Sequence, residues 1–208
     1  QGIQKQMQDV FDVVPFFITM RATDSNPKHL EFQDKTPLML SGVLPYSSYG
    51  NTVFFETLKQ ITAIIKTLLE TLDNTNVYFV TTGQDVGIQK IMHTLIGEHN
   101  HTCEPERRFD LVAYAPKSVK GNTLSRFLSH VVVLEDIKTI YQMYQYFSKL
   151  AFENNLLMVN FSENMWLKDV SHVVREARQE AKAFIDGIHG IEALGLILGG
   201  LDAKPRRD

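Results

Sequence analysis

The chain has 208 residues and a formal net charge of −3, with 44% hydrophobic and 22% charged residues. This length suits one large domain with room for a substantial core. The weakly negative charge excludes a protein that coats nucleic acid with a uniformly basic surface. The single cysteine, Cys103, excludes an intramolecular disulfide and favours an intracellular location, cytoplasmic or nuclear. No apolar run reaches the length of a membrane span, so we expect no membrane partner.

The first 36 residues differ in pattern from the rest of the chain. Residues 1–12 predict a short helix or arm, and residues 13–20 are apolar and β-prone but contain Pro15. Residues 21–36 are polar and rich in turn signals. We therefore treat residues 1–36 as an N-terminal arm and excursion.

From Pro37 onward, apolar runs alternate with stretches of helical spacing. The runs typical of buried strands lie at residues 38–43, 77–80, 109–115, 131–134 and 156–161. Strand–helix alternation predicts an α/β fold, a three-layer α/β/α domain with a mainly parallel central sheet. We expect a core over residues 37–164, followed by a C-terminal helix and a Gly-rich apolar tail over residues 165–208.

Some local expectations follow from the same pattern. Residues 99–108 predict a polar loop, and residues 123–128 predict a short helix before the run at 131–134. Right-handed crossovers place the strand–helix loops at one edge of the sheet. Ligands of open α/β sheets bind at that edge, so polar residues there are the candidates for a site.

The loop after the run at 38–43 partly matches a phosphate-binding P-loop. That motif, Gly-x4-Gly-Lys-Ser/Thr, cradles phosphates with backbone amides, neutralises them with lysine and binds magnesium through a hydroxyl. Here Pro45 replaces the first glycine, Gly50 matches the second, Asn51 replaces the lysine and Thr52 keeps the hydroxyl. Loss of the lysine removes the charge that holds the β- and γ-phosphates. An ordinary strand–helix loop, or a decayed site, is the alternative interpretation.

Two adjacent carboxylates follow the most apolar run, Val131-Val132-Val133-Leu134. In nucleotide hydrolases an Asp-Glu pair at this point supports magnesium and polarises water. This chain has the reverse order, Glu135 then Asp136, and both are candidate catalytic residues. Asp is also a preferred N-cap, so Asp136 is alternatively predicted to cap a helix that starts at Ile137. The two roles do not exclude each other.

Further polar residues fall where other strands end. Thr81-Thr82-Gly83-Gln84 follows the second run, and Lys117 and Lys120 lie in the loop before the acidic strand. Asn160 ends the last run, where a polar side chain could sense a γ-phosphate. Asn160 therefore joins Gly50, Asn51 and Thr52 as a predicted ligand-binding residue. Turn chemistry alone is the alternative explanation for each of these features.

In its order of features, the segment 37–164 resembles the first RecA-type ATPase lobe of helicases and of viral or phage DNA-packaging terminases. The resemblance implies a RecA-like P-loop fold and Mg-ATP as the ligand. It also implies phosphate contacts from Gly50 and Thr52, and contacts with magnesium and water from Glu135 and Asp136. Nucleic acid and other proteins are the partners that it implies.

The departures from the family pattern predict a degenerate ATPase. Without the lysine and with the acids reversed, we expect a non-hydrolysing or weakly hydrolysing module in a nucleic-acid-processing or assembly complex. One alternative is an active Mg-nucleotide-dependent NTPase whose basic residue comes from Lys117, Lys120 or a neighbouring subunit. Another is an interaction scaffold with no nucleotide role that works through the apolar tail at 188–201. The sequence leaves the cofactor and the oligomeric state open.

Two other kinds of site are disfavoured. His93, His99, His101 and Cys103 lack the ligand spacing of a closed zinc site. The chain also has no Gly-x-Ser-x-Gly segment, which marks the nucleophile of one large hydrolase class.

Overall fold

The computed structural model describes residues 2–11, 13–24, 35–42, 51–139, 142–143, 145–147, 157–161 and 202–204. For residues 41–42, 51–57, 60, 157–161 and 202–204 the structure describes the backbone alone. The helices are α1 (Ile3–Val10), α2 (Asn51–Thr71) and α3 (Gly87–Thr102), with short 3-10 turns at Pro105–Arg107 and Gly121–Thr123. The strands are β1 (Phe16–Met20), β2 (Thr36–Gly42), β3 (Val77–Thr81), β4 (Leu111–Pro116), β5 (His130–Leu134), β6 (Leu157–Phe161) and β7 (Asp202–Lys204).

All seven strands form one sheet in the order β1-β5-β4-β3-β2-β6-β7. The five pairs among strands β1 to β6 are all parallel, and only the pair of β6 with β7 is antiparallel among the described strands. The predicted α/β class with a mainly parallel sheet is therefore confirmed. Parallel strands need long crossover connections, which explains why helices separate β2 from β3 and β3 from β4.

Side chains of alternate residues in the central strands pack into two separate cores, one on each face of the sheet. Phe79 and Val131 pack with α1, α2 and α3 on one face. Val80 and Val132 pack on the other face with Met143, Tyr146 and Phe147, three residues that belong to a helical stretch after β5. Because side chains alternate along a strand, runs that are apolar at every position are what a sheet covered on both faces requires.

The direction of chain progression reverses at β2. From β2 the chain moves through β3, β4 and β5 toward one edge, whereas β6 pairs on the opposite side of β2. The carboxyl ends of β2 and β6 lie side by side, with Ser41 in register with Asn160 and Gly42 with Phe161. Such a reversal leaves a crevice above the two strand ends, which is where open α/β sheets bind ligands.

The N-terminal segment is part of the sheet and the core. Strand β1 pairs with β5 over its whole length, and Ile3 and Met7 of α1 are buried in the core shared with α2 and α3. Gln6 of α1 accepts a hydrogen bond from the Gly121 N–H through its Oε1 atom. The predicted arm therefore contributes one edge strand and one covering helix.

Two local predictions differ from the structure. Helix α3 continues to Thr102, through the start of the predicted polar loop, because Asn100 exchanges hydrogen bonds with the N–H and C=O of Phe109, each 2.9 Å long. The predicted helix at 123–128 is wrong. Leu124 instead forms an isolated bridge with Gln84, and the Ser125 N–H donates to the Gly83 carbonyl at 2.8 Å.

The predicted C-terminal helix and the Gly-rich tail at 188–201 lie outside the described residues. Within the described part of the chain, no helix is both long and apolar enough to cross a membrane.

Candidate functional site

A buried chain of hydrogen bonds lies at the carboxyl end of β3. Its centre is His93 of α3, whose Nε2 lies 2.7 Å from Thr81 Oγ1 and whose Nδ1 lies 2.8 Å from Asp85 Oδ1. Thr81 and His93 are fully buried, whereas the Asp85 side chain keeps 41% of its surface exposed. The three residues therefore run from the core to the ligand edge of the sheet.

The environment of His93 favours the neutral imidazole. Burial lowers the pKa of His93, and its hydrogen bond and charge interaction with Asp85 oppose that shift without reversing it. Neutral histidine has one donor and one acceptor nitrogen. Nδ1–H then donates to the Asp85 carboxylate, and Nε2 accepts the Thr81 hydroxyl proton.

Neighbouring groups complete this network. The Gly83 N–H donates to Thr81 Oγ1 at 3.0 Å, and the Thr82 hydroxyl donates to Gln89 Oε1. Gly83 has φ +89°, and an added Cβ there would lie 2.8 Å from Leu124 Cδ2 and 2.9 Å from Ala113 Cβ. Only glycine fits this turn without strain, because both the backbone angle and the space exclude a side chain.

The Thr–His–Asp order resembles a nucleophile, a base and an orienting acid. However, the Thr81 side chain has no exposed surface and cannot reach a substrate carbonyl or phosphorus. The network can instead position other groups. It fixes the turn between β3 and α3 and holds the Asp85 carboxylate at the edge of the sheet. A satisfied network of this kind rigidifies a core and specifies one arrangement of it.

The sequence contained a signal for this network. His93 lies one residue after Met92 and three before Ile96, on the apolar face of α3, and a polar residue on a buried face needs hydrogen-bond partners. Asp85 and Thr81 are eight and twelve residues away along the chain. Because a turn of undefined shape separates them from α3, spacing alone did not identify them.

The two predicted catalytic acids have different surroundings. Glu135 is exposed, and its N–H donates to the Met20 carbonyl at 2.9 Å. Asp136 Oδ1 accepts a hydrogen bond from the Ala22 N–H at 2.7 Å. That bond is the main reason why the pKa of Asp136 is lowered, and the charge of Arg21 adds to it. Asp136 therefore ties the end of β1 to the end of β5.

The alternative role predicted for Asp136, as the N-cap of a helix starting at Ile137, is wrong. Residues 137–139 are not helical; Thr139 Oγ1 accepts the Gln142 N–H at 3.2 Å, and the Thr139 N–H donates to Gln142 Oε1 at 3.1 Å. This reciprocal pair is a capping box. A Thr with a Gln three residues later is a better capping pair than the isolated Asp136.

The sheet order separates the predicted phosphate loop from the predicted acids. Strands β4 and β3 lie between β5 and β2, so three inter-strand steps amount to roughly 14 Å. A magnesium ion binds its oxygen ligands at about 2.1 Å. At this separation one ion cannot bind both a residue directly after β2 and a residue directly after β5.

The other predicted binding residues lie around β2. Helix α2 begins at Asn51 and includes Thr52, and Asn160 of β6 is in register with Ser41 of β2. Gly50 lies outside the described residues, as do the side chains of Asn51, Thr52 and Asn160. The strand register thus places Asn160 at the carboxyl edge of the sheet beside β2, and α2, which starts with Asn51 and Thr52, is the next described element after β2 along the chain.

The remaining sequence candidates do not form a site within the described residues. Lys117 and Lys120 are exposed in the loop after β4, which is two strands from β2. No group of three or more His, Cys, Asp or Glu side chains in that part of the chain is arranged to hold a metal ion.

No protein-family model and no curated protein matches this chain.

Proposed function

We propose that this chain is a nucleotide-binding α/β module that does not hydrolyse its ligand and that works within a nucleic-acid-processing or assembly complex. In this proposal the phosphates bind in the crevice between β2 and β6. Glu135 and Asp136 do not act on them.

The observation that carries the proposal is the reversal of chain direction at β2. It leaves a crevice at the strand ends where Asn160 is in register with Ser41, and the helix that follows β2 along the chain starts at Asn51. The N-terminus of a 21-residue helix offers unpaired N–H groups and a partial positive charge. Both features favour phosphate.

The lack of hydrolysis is supported by the position and bonding of the two acids. They follow a strand that is three positions from β2, and Asp136 is already bound to the Ala22 N–H. If Glu135 and Asp136 are not near the phosphates, they supply neither the base for an attacking water nor a ligand for magnesium. Binding without turnover is the expected outcome.

Isothermal titration of the full chain with Mg-ATP and with inorganic phosphate, combined with a phosphate-release assay, tests this function. We expect binding of Mg-ATP with no turnover above background. We also expect Glu135→Gln and Asp136→Asn to bind like the unmodified chain. Absence of Mg-ATP binding at millimolar ligand would refute the proposal. Turnover that is lost in Glu135→Gln would refute its non-hydrolysing part.

A gain-of-function substitution locates the phosphate site more sharply. Asn51→Lys restores the lysine of the phosphate-loop motif at the start of α2, so we expect it to tighten Mg-ATP binding by about tenfold, the effect of one charge-assisted contact. Thr62→Lys adds the same charge about three turns further along α2 and serves as the control. Equal affinities for the two variants would place the ligand away from the helix start.

A catalytically active NTPase is the second candidate, and the exposure of Lys117 and Lys120 at the ligand edge favours it. In that case one of these lysines, after β4, would supply the charge that Asn51 lacks. Lys117→Ala and Lys120→Ala then lower turnover, whereas in the leading proposal there is no turnover to lower.

A further inference from the structure

Strand β1 forms one edge of the sheet, and in the described residues no strand pairs with its outer side. Its side chains are apolar except for Thr19, and Phe16 keeps 75% of its surface exposed. Val10 and Val13, just before it, are 56% and 77% exposed. Unpaired edges with apolar side chains attract another strand unless charge, proline or a covering element protects them.

The hydrogen bonds between β1 and β5 define which backbone groups point outward. The Phe16 N–H donates to the Ser129 carbonyl at 3.0 Å, and the Met20 carbonyl accepts the Glu135 N–H at 2.9 Å. In a parallel pair, alternate residues of a strand bond to the same neighbour. Residues 16, 18 and 20 therefore face β5, and the N–H and C=O groups of Phe17 and Thr19 face away from the sheet.

This outer row has a defined length. On one side Pro15 has no N–H to donate. On the other side the Arg21 N–H is already bound to Asp24 Oδ2 at 3.0 Å. The outer edge thus offers donors at Phe17 and Thr19, flanked by positions where the donor is missing or used.

We propose that this edge pairs with the same edge of a second copy of the chain. In an antiparallel arrangement with its two-fold axis at Ile18, Phe17 of one copy faces Thr19 of the other. Each of these pairs exchanges N–H···O bonds in both directions, because both residues point outward. The edge is therefore complementary to itself, which is what a two-fold symmetric dimer interface requires.

The side chains agree with this register. Phe16 of one copy lies opposite Met20 of the other in a pair without backbone hydrogen bonds, where side chains approach most closely. This register brings the exposed Phe16 ring beside the edge of the core that contains Met20; in the single chain, among the described aromatic pairs, Phe16 contacts the His130 ring at 5.7 Å between centroids. No charged residue lies in the paired segment 16–20, so the arrangement brings no like charges together.

The register is tested by disulfide trapping of the full chain carrying Cys103→Ser. Directly opposed residues without backbone hydrogen bonds have Cα atoms about 4.5 Å apart, within the range of a disulfide. Ile18→Cys is expected to form a covalent dimer under mild oxidation. Thr19→Cys, whose partner in the register is Phe17, is expected to form at least about tenfold less. Equal trapping of the two variants, or none with Ile18→Cys, would overturn the proposed register.

Light scattering coupled to size-exclusion chromatography tests the association itself. We expect concentration-dependent dimers for the unmodified chain. Thr19→Pro removes an outward donor on an edge strand, where proline is tolerated, and should weaken the dimer about tenfold or more because both copies lose it. Phe16→Lys should weaken it similarly and does not depend on how proline is accommodated.

Val86→Lys is the matched control, because Val86 is also an exposed apolar residue, at 61%, but lies before α3 and away from β1. It should leave the dimer unchanged. A chain that is monomeric into the high-micromolar range would overturn the proposal, as would a dimer that resists Phe16→Lys or is lost in Val86→Lys. These outcomes are independent of nucleotide binding.

Discussion

The ends of β3 and β5 lie two positions apart on the same edge of the sheet and use their polar residues differently. After β3, a fully buried histidine joins a buried threonine to a partly exposed aspartate. After β5, Glu135 is exposed and Asp136 is partly exposed, and Asp136 accepts a hydrogen bond from the Ala22 N–H in the turn after β1. The comparison shows that a polar residue on a buried helix face is better evidence for an organised hydrogen-bond network than an acidic pair beside an apolar strand.

The largest expected effect is at His93. His93→Ala removes a buried ring and leaves the Thr81 hydroxyl and the Asp85 carboxylate without their shared partner, so we expect a loss of about 3 kcal/mol in the free energy of unfolding. Urea denaturation measures it. Thr94→Ala is the control, because the Thr94 hydroxyl bonds only to its own helix, at the Lys90 carbonyl. A similar loss in both variants would mean that the His93 network adds no more to the free energy of unfolding than a hydrogen bond within one helix.

The turn at Gly83 should be nearly as sensitive. Gly83→Ala forces a methyl group against Ala113 and Leu124 at a φ of +89°, whereas Gly87→Ala meets a φ of +55° and open space. We expect losses of about 3 kcal/mol for the first and about 1 kcal/mol for the second. Thermal or urea unfolding of the two variants gives the difference. Equal losses would contradict tight packing of Leu124 and Ala113 around Gly83.

The end of β3 and the end of β5 should also differ in how they make the free energy of unfolding depend on pH. Because burial lowers the pKa of His93 below its ordinary value of 6.5, the unfolded chain takes up a proton first as the pH falls. The contribution of neutral His93 to the free energy of unfolding is therefore complete above about pH 6.5. Below that pH the free energy of unfolding decreases by at most about 1.4 kcal/mol per pH unit. Urea midpoints between pH 5 and pH 8 measure this slope.

His93→Gln removes the titrating group and should flatten that dependence. Asp85→Asn should make the loss of unfolding free energy with falling pH steeper or larger. The Asp85 charge raises the pKa of His93 and partly offsets the effect of burial, so its removal leaves the full effect of burial. An unchanged slope in His93→Gln would assign the effect to other histidines.

The smallest effect is expected at the end of β5. Asp136→Ala removes the acceptor of the Ala22 N–H and should cost about 1 kcal/mol, whereas Glu135→Ala, at an exposed position, should stay within about 0.5 kcal/mol. The pKa of Asp136 is lowered in the folded chain, so its contribution is present near neutral pH and disappears as the pH falls through that lowered pKa. Urea unfolding at pH 7 and pH 3 checks both points. Equal effects of the two substitutions would remove the distinction between the acids.

The strands and the α/β class were predictable because fully buried parallel strands must be apolar at every position. The runs at 77–80 and 131–134 gave β3 and β5 almost to the residue. Boundaries set by long-range side-chain contacts were not predictable: α3 ends at Thr102 through the bonds between Asn100 and Phe109. The capping role assigned to Asp136 failed for a related reason, since a backbone N–H 114 positions away competes for its carboxylate.

The sequence by itself determined the five strands β2 to β6, that both faces of the sheet are covered, and which polar residues stand at the ends of those strands. These properties depend on local periodicity and burial, which each segment encodes alone. Only the tertiary structure decided the strand order, which places β4 and β3 between the acids of β5 and the end of β2 and brings Asn160 beside Ser41. It also joined His93 to Thr81 and Asp85. Neighbour relations between strands and across turns depend on how the whole chain packs, and no local pattern encodes them.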